Sequence, residues 1–147
     1  MKKKLLIVFT LIFLAFICVL IYKKFNPTNK KEEVNIILDS STEFSEAELN
    51  KGVEEVLRAF NSMWNNSKLH EIRFDNKVYE HEMENRGSET TLFSDLDKNN
   101  VLIFTVSFTT GKKVEGSIGP NTPMDGWRFI LTRKNKNSNW KYLDQGV

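Results

Sequence analysis

Cysteine, proline and glycine are scarce in this chain of 147 residues. The one cysteine, Cys18, excludes an intrachain disulfide framework and any zinc site built from several cysteines. With 7 glycines and 3 prolines, the chain is neither collagen-like nor a flexible low-complexity polymer. Apolar residues make up 40% of it, which is enough to build one hydrophobic core. The length favours a single domain, together with any targeting segment that the chain carries.

Acidic residues are absent from the first 24 positions, which hold five lysines. The net charge of +2 therefore misrepresents the rest of the chain, where 16 bases face all 19 acids. This distribution removes the main support for nucleic-acid binding. Residues 25–100 carry 9 bases and 16 acids, whereas residues 101–147 carry 7 bases and 3 acids. We expect the two halves to attract each other once packed, as oppositely charged solvated faces.

An uncharged apolar run extends from Leu5 to Tyr22 and is bracketed by lysines. As a helix, its 18 residues would span ~27 Å, close to the ~30 Å hydrocarbon core of a bilayer. A cleaved signal peptide is the rival interpretation, but its apolar region is only ~7–15 residues long and ends at small residues. Ile17 before Cys18 also disfavours a lipoprotein signal. Residues 1–24 are thus predicted to be an uncleaved membrane anchor with its lysine flanks.

The lysines also predict the orientation of this anchor. Lys2, Lys3 and Lys4 precede the apolar run, and the positive-inside rule favours a cytoplasmic N-terminus. The predicted location is therefore the cell membrane, crossed once, with the C-terminal domain outside. Residues 25–42 are predicted to be a linker and lead-in, and residues 43–147 an extracytoplasmic domain.

One long amphipathic helix opens the predicted domain. Ser45 and Glu48 have the spacing of a capping box, and Phe44 is placed to pack against Leu49. Apolar residues then recur in steps of three and four, which predicts about five helical turns ending near residues 65–67. They are Leu49, Val53, Val56, Leu57, Phe60, Met63 and Trp64.

Mostly extended segments follow the long helix. Residues 69–74 predict a short strand, and residues 76–86 are ambiguous between a short helix and a loop. Alternating apolar positions predict further strands over residues 101–110, 127–133 and 140–145. Loops are predicted at residues 111–126 and 134–139. This order predicts an α+β fold with a helix covering a mainly antiparallel sheet.

A family resemblance rests on scattered apolar, tryptophan and turn positions. They lie in Phe44-Ser45-Glu46, Lys68 to Asp75, Pro120-Asn121, Trp127 to Arg133, and Trp140 with Asp144-Gln145-Gly146-Val147. This layout resembles a group of small uncharacterised exported proteins of low-GC Gram-positive bacteria. The group is similar in turn to the nuclear transport factor two-like superfamily, which is cystatin-like and cone-shaped. Val147 stands where the group has a terminal aromatic residue. The resemblance covers residues 43–147 and implies a curved sheet with a cavity under the helices, but no catalytic residue.

Few residues offer catalytic or metal chemistry. On the fold analogy, Asp75 with Tyr79 or His81 is the weak candidate for a general acid or base. His70 and His81 are the two histidines, and no His-Glu-x-x-His spacing joins them to a carboxylate. The sequence therefore predicts no metal site and no cofactor.

Aromatic residues are the stronger signal for a ligand. Nine of them are predicted to build the core, and some would also line a cavity if one stays open. Such a cavity would suit a small hydrophobic or amphipathic molecule. The candidate wall residues are Phe60, Trp64, Phe74, Phe104, Trp127 and Phe129.

Two classes of function remain open. The first is a membrane-anchored, non-enzymatic binding or interaction domain outside the cell, with a protein partner in the envelope. Conjugation machines contain bridge subunits of similar architecture, so an assembly of that type is one form of this hypothesis. The alternative is a small-molecule enzyme that uses an apolar cone cavity and a carboxylate or histidine base. An open pocket with a buried, unpaired carboxylate or histidine would favour the enzyme.

Overall fold

The computed structural model describes residues 33–85, 95–113 and 118–146. They belong to one compact unit, Glu33–Val147. The predicted anchor, Leu5 to Tyr22, lies outside the described residues. Within the part of the chain that the structure describes, no helix is long and apolar enough to cross a membrane.

The fold is α+β, as predicted. Its helices are α1 (Glu46–Met63) and α2 (Asn76–Asn85), and a 3-10 turn (Lys98–Asn100) precedes the third strand. Five strands form one open sheet in the order β1-β2-β3-β4-β5. Strand β1 runs parallel to β2, and the other neighbours are antiparallel. The strands are β1 (Asn35–Leu38), β2 (Lys68–Phe74), β3 (Val101–Thr109), β4 (Pro123–Thr132) and β5 (Lys141–Gly146).

Helix α1 begins at the predicted capping box. The Ser45 hydroxyl accepts from the Glu48 N–H, and the Glu48 carboxylate accepts from the Ser45 N–H. These two bonds satisfy donors that the first helical turn otherwise leaves unpaired. Phe44 and Leu49 both lie in the main core cluster, which agrees with the predicted apolar contact at the helix start.

Gly52 brings α1 very close to β3. A Cβ atom at this position would lie 2.6 Å from the Leu102 side chain and 2.7 Å from the Phe104 ring. Real Cβ atoms do not approach other atoms so closely, and the helix can therefore sit this near the sheet only with glycine at the contact. Glycine costs helical stability, but here it permits the close packing of helix on sheet.

The two faces of the sheet have separate apolar clusters. Leu102 and Phe104 point into the main core under α1, whereas Val101 and Ile103 belong to a second, smaller cluster. Successive strand residues point to opposite faces, so these two clusters lie on opposite sides of β3. Partly buried residues that pack on the second cluster are Met83, Leu96, Ile130 and Leu143.

Two strand boundaries differ from the prediction. Strand β1 lies inside the segment predicted as linker and lead-in, and it adds a parallel edge strand through the β1-α1-β2 connection. Strand β4 begins at Pro123 instead of Trp127. The early part of β4 contains Gly126 at φ 67°, and the pairing register shifts there between Val106 and Phe108. An extra residue in a strand requires such a bulge, and glycine adopts the positive φ readily.

Ion pairs join the two oppositely charged halves of the domain. Arg128 lies 2.7 Å from Glu82, and Arg133 lies 2.7 Å from Glu48. Each pair combines a base from residues 101–147 with an acid from residues 25–100. The predicted attraction between the halves is therefore visible as specific contacts.

The ends of several helices and strands lie together at one end of the domain. Helix α1 ends where β2 begins, and β3 ends where β4 begins. Strand β5 also runs toward this end, because it is antiparallel to β4, with its first residue Lys141 opposite Thr132 and its last residue Gly146 opposite Arg128. We call it the cleft end of the domain, since it carries the cleft described below.

Candidate functional site

Asp75 and His81, two of the three candidate acid/base residues, have local structural contacts. The Asp75 carboxylate accepts the N–H groups of Lys77 at 2.9 Å and Val78 at 3.1 Å, which caps α2. His81 is exposed on α2, and its ring lies 3.1 Å from the amide nitrogen of Asn85. These contacts do not form an acid/base pair around a substrate position.

Tyr79, the third candidate, is a core residue. It is 2% exposed, and its ring packs edge-on against Phe44 at a centroid distance of 5.3 Å. Its hydroxyl donates to the carbonyl of Lys98 at 2.8 Å. A small cleft of about 330 Å³ borders this tyrosine and also contacts Glu43 and Glu80. Because the hydroxyl already donates to the backbone, it fastens α2 to the 3-10 turn.

The histidines are not brought together with a set of metal ligands. His70 lies on β2 and contacts the Thr109 hydroxyl of β3 at 2.8 Å, whereas His81 lies on α2. Among residues 33–85, 95–113 and 118–146, no group of three or more His, Cys, Asp or Glu side chains is placed to hold a metal ion.

Four of the six candidate wall residues lie in the filled core. Phe60, Phe74, Phe104 and Phe129 are at most 2% exposed. The Phe60 and Phe129 rings lie 6.3 Å apart, which confirms that the helix and β4 share one aromatic cluster. The other two candidates, Trp64 and Trp127, are half-buried and pack against this cluster from the cleft end.

A cleft of about 870 Å³ opens where α1 ends. Trp64 follows the last residue of the helix and contributes its half-buried indole. Lys113, beyond the end of β3, contributes a positive charge, and none of the described lining residues is acidic. The described residues that line it are Met63, Trp64, Asn65, Asn66, Ser67, Lys113 and Gln145.

Gln145 holds the two tryptophans in place. Its side-chain oxygen accepts from the indole N–H of Trp64 at 3.1 Å and from that of Trp127 at 3.3 Å. The two indole planes meet at 82° with centroids 6.1 Å apart, and Phe108 lies 4.8 Å from Trp64. The amide oxygen thus uses both of its lone pairs. Among the described residues, no partner occupies the amide nitrogen, which leaves two donors at the cleft.

Close packing fixes one rim of the cleft. The Gly111 N–H donates to the Ser67 hydroxyl at 3.1 Å. A Cβ at Gly111 would lie 2.0 Å from the Asn66 carbonyl oxygen, so the end of β3 touches the backbone of the turn after α1. The hydroxyl of buried Thr110 donates to the Gly119 carbonyl and accepts from the Thr122 N–H. These two bonds hold the end of β3 against the residues that precede β4.

The family described as a domain of unknown function, DUF4829, matches residues 45–146. The chain belongs to the DUF4829 family. Neither the curated proteins nor the solved structures contain a match to the chain. The matched segment of this DUF4829 domain begins at the cap of α1 and ends on β5, and it includes the described residues that line the cleft.

The DUF4829 domain contains a second polar cluster at the end opposite the cleft. The side chain of Arg133 is 2% exposed and donates to the Glu48 carboxylate at 2.7 Å and to the Asn99 carbonyl at 2.7 Å. Its guanidinium lies 4.2 Å above the ring of Trp140, whose indole N–H donates to the Glu48 carbonyl. These contacts compensate the buried positive charge of Arg133, because a buried charge without a partner is costly.

Charge compensation lowers the pKa of Glu48 in this cluster. Burial by itself raises this pKa, but the hydrogen bonds from Ser45 and the contact with Arg133 outweigh it. The result is a pKa of about 2, compared with an ordinary value of 4.5. The carboxylate therefore stays ionised beside the arginine and stabilises the fold instead of exchanging protons near neutral pH.

Sequence reasoning missed Gln145 as a cleft residue and Arg133 as a buried charge. A single glutamine on a strand carries no pattern, and an arginine at a strand end is expected to be solvated. The alternation of β5 places Gln145 on the same face as the core residue that it pairs with, Phe129. The alternation of residues along β5 could therefore have indicated that Gln145 points toward the core side of the sheet.

Proposed function

We propose that the chain is a membrane-anchored, non-enzymatic binding protein whose DUF4829 domain lies outside the cell and recognises its ligand through the cleft. The observation that carries this proposal is the cleft itself, where Trp64 is held by Gln145 beside the polar side chains of Asn65, Asn66 and Lys113. A volume of about 870 Å³ falls within the range of ~300–1,000 Å³ that is usual for ligand sites.

The lining supports a ligand with acceptor groups and an apolar face. Asn65, Asn66 and Gln145 present amide donors, and Lys113 presents a cation. Trp64 supplies an apolar surface beside these donors. This combination suits an amphipathic ligand with a neutral or negatively charged polar part.

The membrane part of the proposal rests on the apolar run. Leu5 to Tyr22 is long enough to span a bilayer as a helix and lacks charged residues. The lysines before it support a cytoplasmic N-terminus. The enzyme alternative gains no observation of its own, because Asp75, Tyr79 and His81 have the structural contacts given above.

The resemblance to cone-shaped domains supports an interaction role. In this proposal, the sheet curves around α1 as in the nuclear transport factor two-like superfamily, and the open mouth of the cone corresponds to the cleft end. A cell-envelope assembly, of which a conjugation machine is one example, is the proposed setting for the partner. The same proposal holds that the chain comes from a low-GC Gram-positive bacterium, like the group of small exported proteins that it resembles.

Photocrosslinking tests the cleft. A benzophenone amino acid replaces Met63, which is 40% exposed and lines the cleft. The matched control replaces Val78, which is 36% exposed on α2. Irradiation of intact cells should give a discrete adduct from position 63 and none from position 78. Equal labelling at both positions, or no adduct at position 63, would contradict the cleft as the binding site.

Reporter fusions test the orientation. Alkaline phosphatase fused after Val147 is expected to be active, since this enzyme matures outside the cytoplasm. Green fluorescent protein at the same position is expected to stay dark when it is exported unfolded. The reverse pattern would place the domain in the cytoplasm and contradict the proposed topology.

A further inference from the structure

The polypeptide enters the domain from the cleft end. Strand β1 begins with Asn35 level with Glu71 and ends with Leu38 level with Phe74. Because β1 is parallel to β2, whose first residue Lys68 lies at the cleft end, the chain before Asn35 leads toward that end. The opposite end of β1 continues instead into the cap of α1.

The length of the connecting segment limits how far the first described residue lies from the apolar run. Ten residues, 23–32, separate Tyr22 from Glu33. Eleven Cα–Cα steps therefore join Tyr22 to Glu33, and they span at most about 40 Å, whatever the conformation. If Leu5 to Tyr22 is the anchor, as the proposed function holds, the first described residue stays within that distance of the bilayer.

Side chains at the cleft end suit a membrane surface. Met63 is 40% exposed, and the half-buried Trp64 follows it. Tryptophan is enriched at the level of lipid headgroups, where its ring is partly apolar and its N–H is polar. Lys113 lines the cleft with these apolar groups, and it is exposed, as is Lys112 before it in the chain. Lysines close to a membrane surface attract anionic headgroups.

Lys68 adds a third cation at the first residue of β2. The described acids nearby are Glu33 and Asp125, and the Asp125 carboxylate accepts a hydrogen bond from the Ser107 hydroxyl at 2.5 Å. Among the described residues at this end, three lysines thus occur with two acids. Apolar and cationic groups therefore occur together at the end of the domain toward which the described chain before β1 leads.

We propose that the cleft end docks on the headgroup layer of an anionic phospholipid membrane, with Met63 and Trp64 at the interface and Lys112 and Lys113 on the phosphates. This inference rests on the proposed function and names the partner of its cleft. The far end of the domain, with Trp140 and the Arg133–Glu48 pair, then points away from the lipid.

Tryptophan quenching by brominated lipid tests this docking. The chain has three tryptophans, Trp64, Trp127 and Trp140, and none lies in the predicted anchor. The full-length protein is reconstituted into vesicles of phosphatidylcholine and phosphatidylglycerol with brominated acyl chains. We expect at least a twofold loss of emission. Trp64→Phe should remove most of this quenching, whereas Trp140→Phe should preserve it.

Charge variants test the anionic headgroups without touching the core. The double variant Lys112→Glu/Lys113→Glu changes exposed residues at the cleft end, and we expect it to reduce quenching by at least half. The matched control, Lys134→Glu/Lys136→Glu, changes exposed lysines of the far-end loop and should leave quenching unchanged. Equal quenching in vesicles of phosphatidylcholine alone would overturn the role of anionic lipid.

Flotation of the same vesicles after alkaline extraction separates the two proposals. Retention with the lipid supports the anchor, and loss from the lipid contradicts it. The quenching result decides the docking in either case. A protein that floats but shows unquenched Trp64 overturns the docking and leaves the anchored binding domain standing. Quenching without stable flotation supports docking and overturns the anchor.

Discussion

Arg133 and Glu48 form an ion pair of 2.7 Å between the end of β4 and the first turn of α1. The arginine side chain is 2% exposed, and the glutamate also completes the cap of the helix through Ser45. One carboxylate thus serves both the helix start and a buried cation. The pair fastens the helix to the sheet at the end opposite the cleft.

The first prediction concerns acid stability. Because the pKa of Glu48 is lowered from 4.5 to about 2, the unfolded chain binds a proton at this residue at a higher pH than the folded chain does. The stabilisation is therefore fully present above about pH 4.5 and is lost as the pH falls through about 2. It amounts to about 3 kcal/mol at most.

Urea denaturation of the wild type and Glu48→Gln from pH 6 to pH 2.5 measures this effect. The difference in unfolding free energy between the two proteins should shrink steadily below pH 4.5. Glu46→Gln, at an exposed position in the same helical turn, is the control and should follow the wild type. A constant difference between wild type and Glu48→Gln at all pH values would contradict the prediction.

The second prediction contrasts the aromatic core with the histidines. Phe60→Ala and Phe129→Ala should each lower the unfolding free energy by ~3–5 kcal/mol, because both rings are at most 2% exposed. Many domains have only ~5–15 kcal/mol in total. His70→Ala and His81→Ala, at exposed positions, should cost less than about 1 kcal/mol. Thermal unfolding followed by circular dichroism measures all four, and a reversed order would refute the core assignment.

The third prediction concerns Gly52 in the middle of α1. By helix propensity alone, Gly52→Ala would stabilise the protein by about 1 kcal/mol. The new Cβ would instead meet Leu102 and Phe104 at 2.6 and 2.7 Å, and relief of this overlap should leave a net loss of ~1–3 kcal/mol. Asn61→Ala, on the exposed face of the same helix, should be neutral or stabilising. Chemical denaturation of both variants checks the contrast, and a more stable Gly52→Ala would contradict it.

The fourth prediction concerns the oxygen that Trp64 and Trp127 share. Gln145→Leu removes this acceptor and should cost about 1–2 kcal/mol, because two partly buried N–H groups lose their partner. Gln145→Glu keeps an acceptor at the same position and should retain most of that stability. Near-ultraviolet circular dichroism should weaken in the leucine variant, since the two indoles lose their fixed geometry. Identical spectra for both variants would show that Gln145 does not orient them.

Local patterns were sufficient to predict α1 and the antiparallel strands. The cap at Ser45 and Glu48 involves residues three apart, and the apolar stripe of α1 repeats within each turn. Strand β1 escaped prediction because four residues do not establish a period. Its place beside β2 depends on pairing with Glu71 to Phe74, more than thirty positions further along the chain.

The candidate site was predicted only in part, for a related reason. Aromatic residues on the inner faces of a helix and a sheet indicate a common cluster. Trp64, which lines the cleft, was identified in this way together with Trp127, which packs against it. Composition does not distinguish a filled core from an open wall, so Phe74 and Phe104 were grouped with them although both are fully buried. Gln145 gains its role from Trp64, which lies 81 positions away in the chain.

Residue types and short spacings were enough to establish the α+β class, the capped helix, the charge division of the chain and the apolar run predicted to be an anchor. These properties depend on residue type and on spacings of a few positions, because propensity, capping and amphipathicity act within one or two turns or along one strand. The packing of distant elements places Trp64 at a cleft and buries Arg133 against Glu48, 85 positions away in the chain. Such contacts depend on how elements distant in the chain pack against one another, and local spacing does not encode that arrangement.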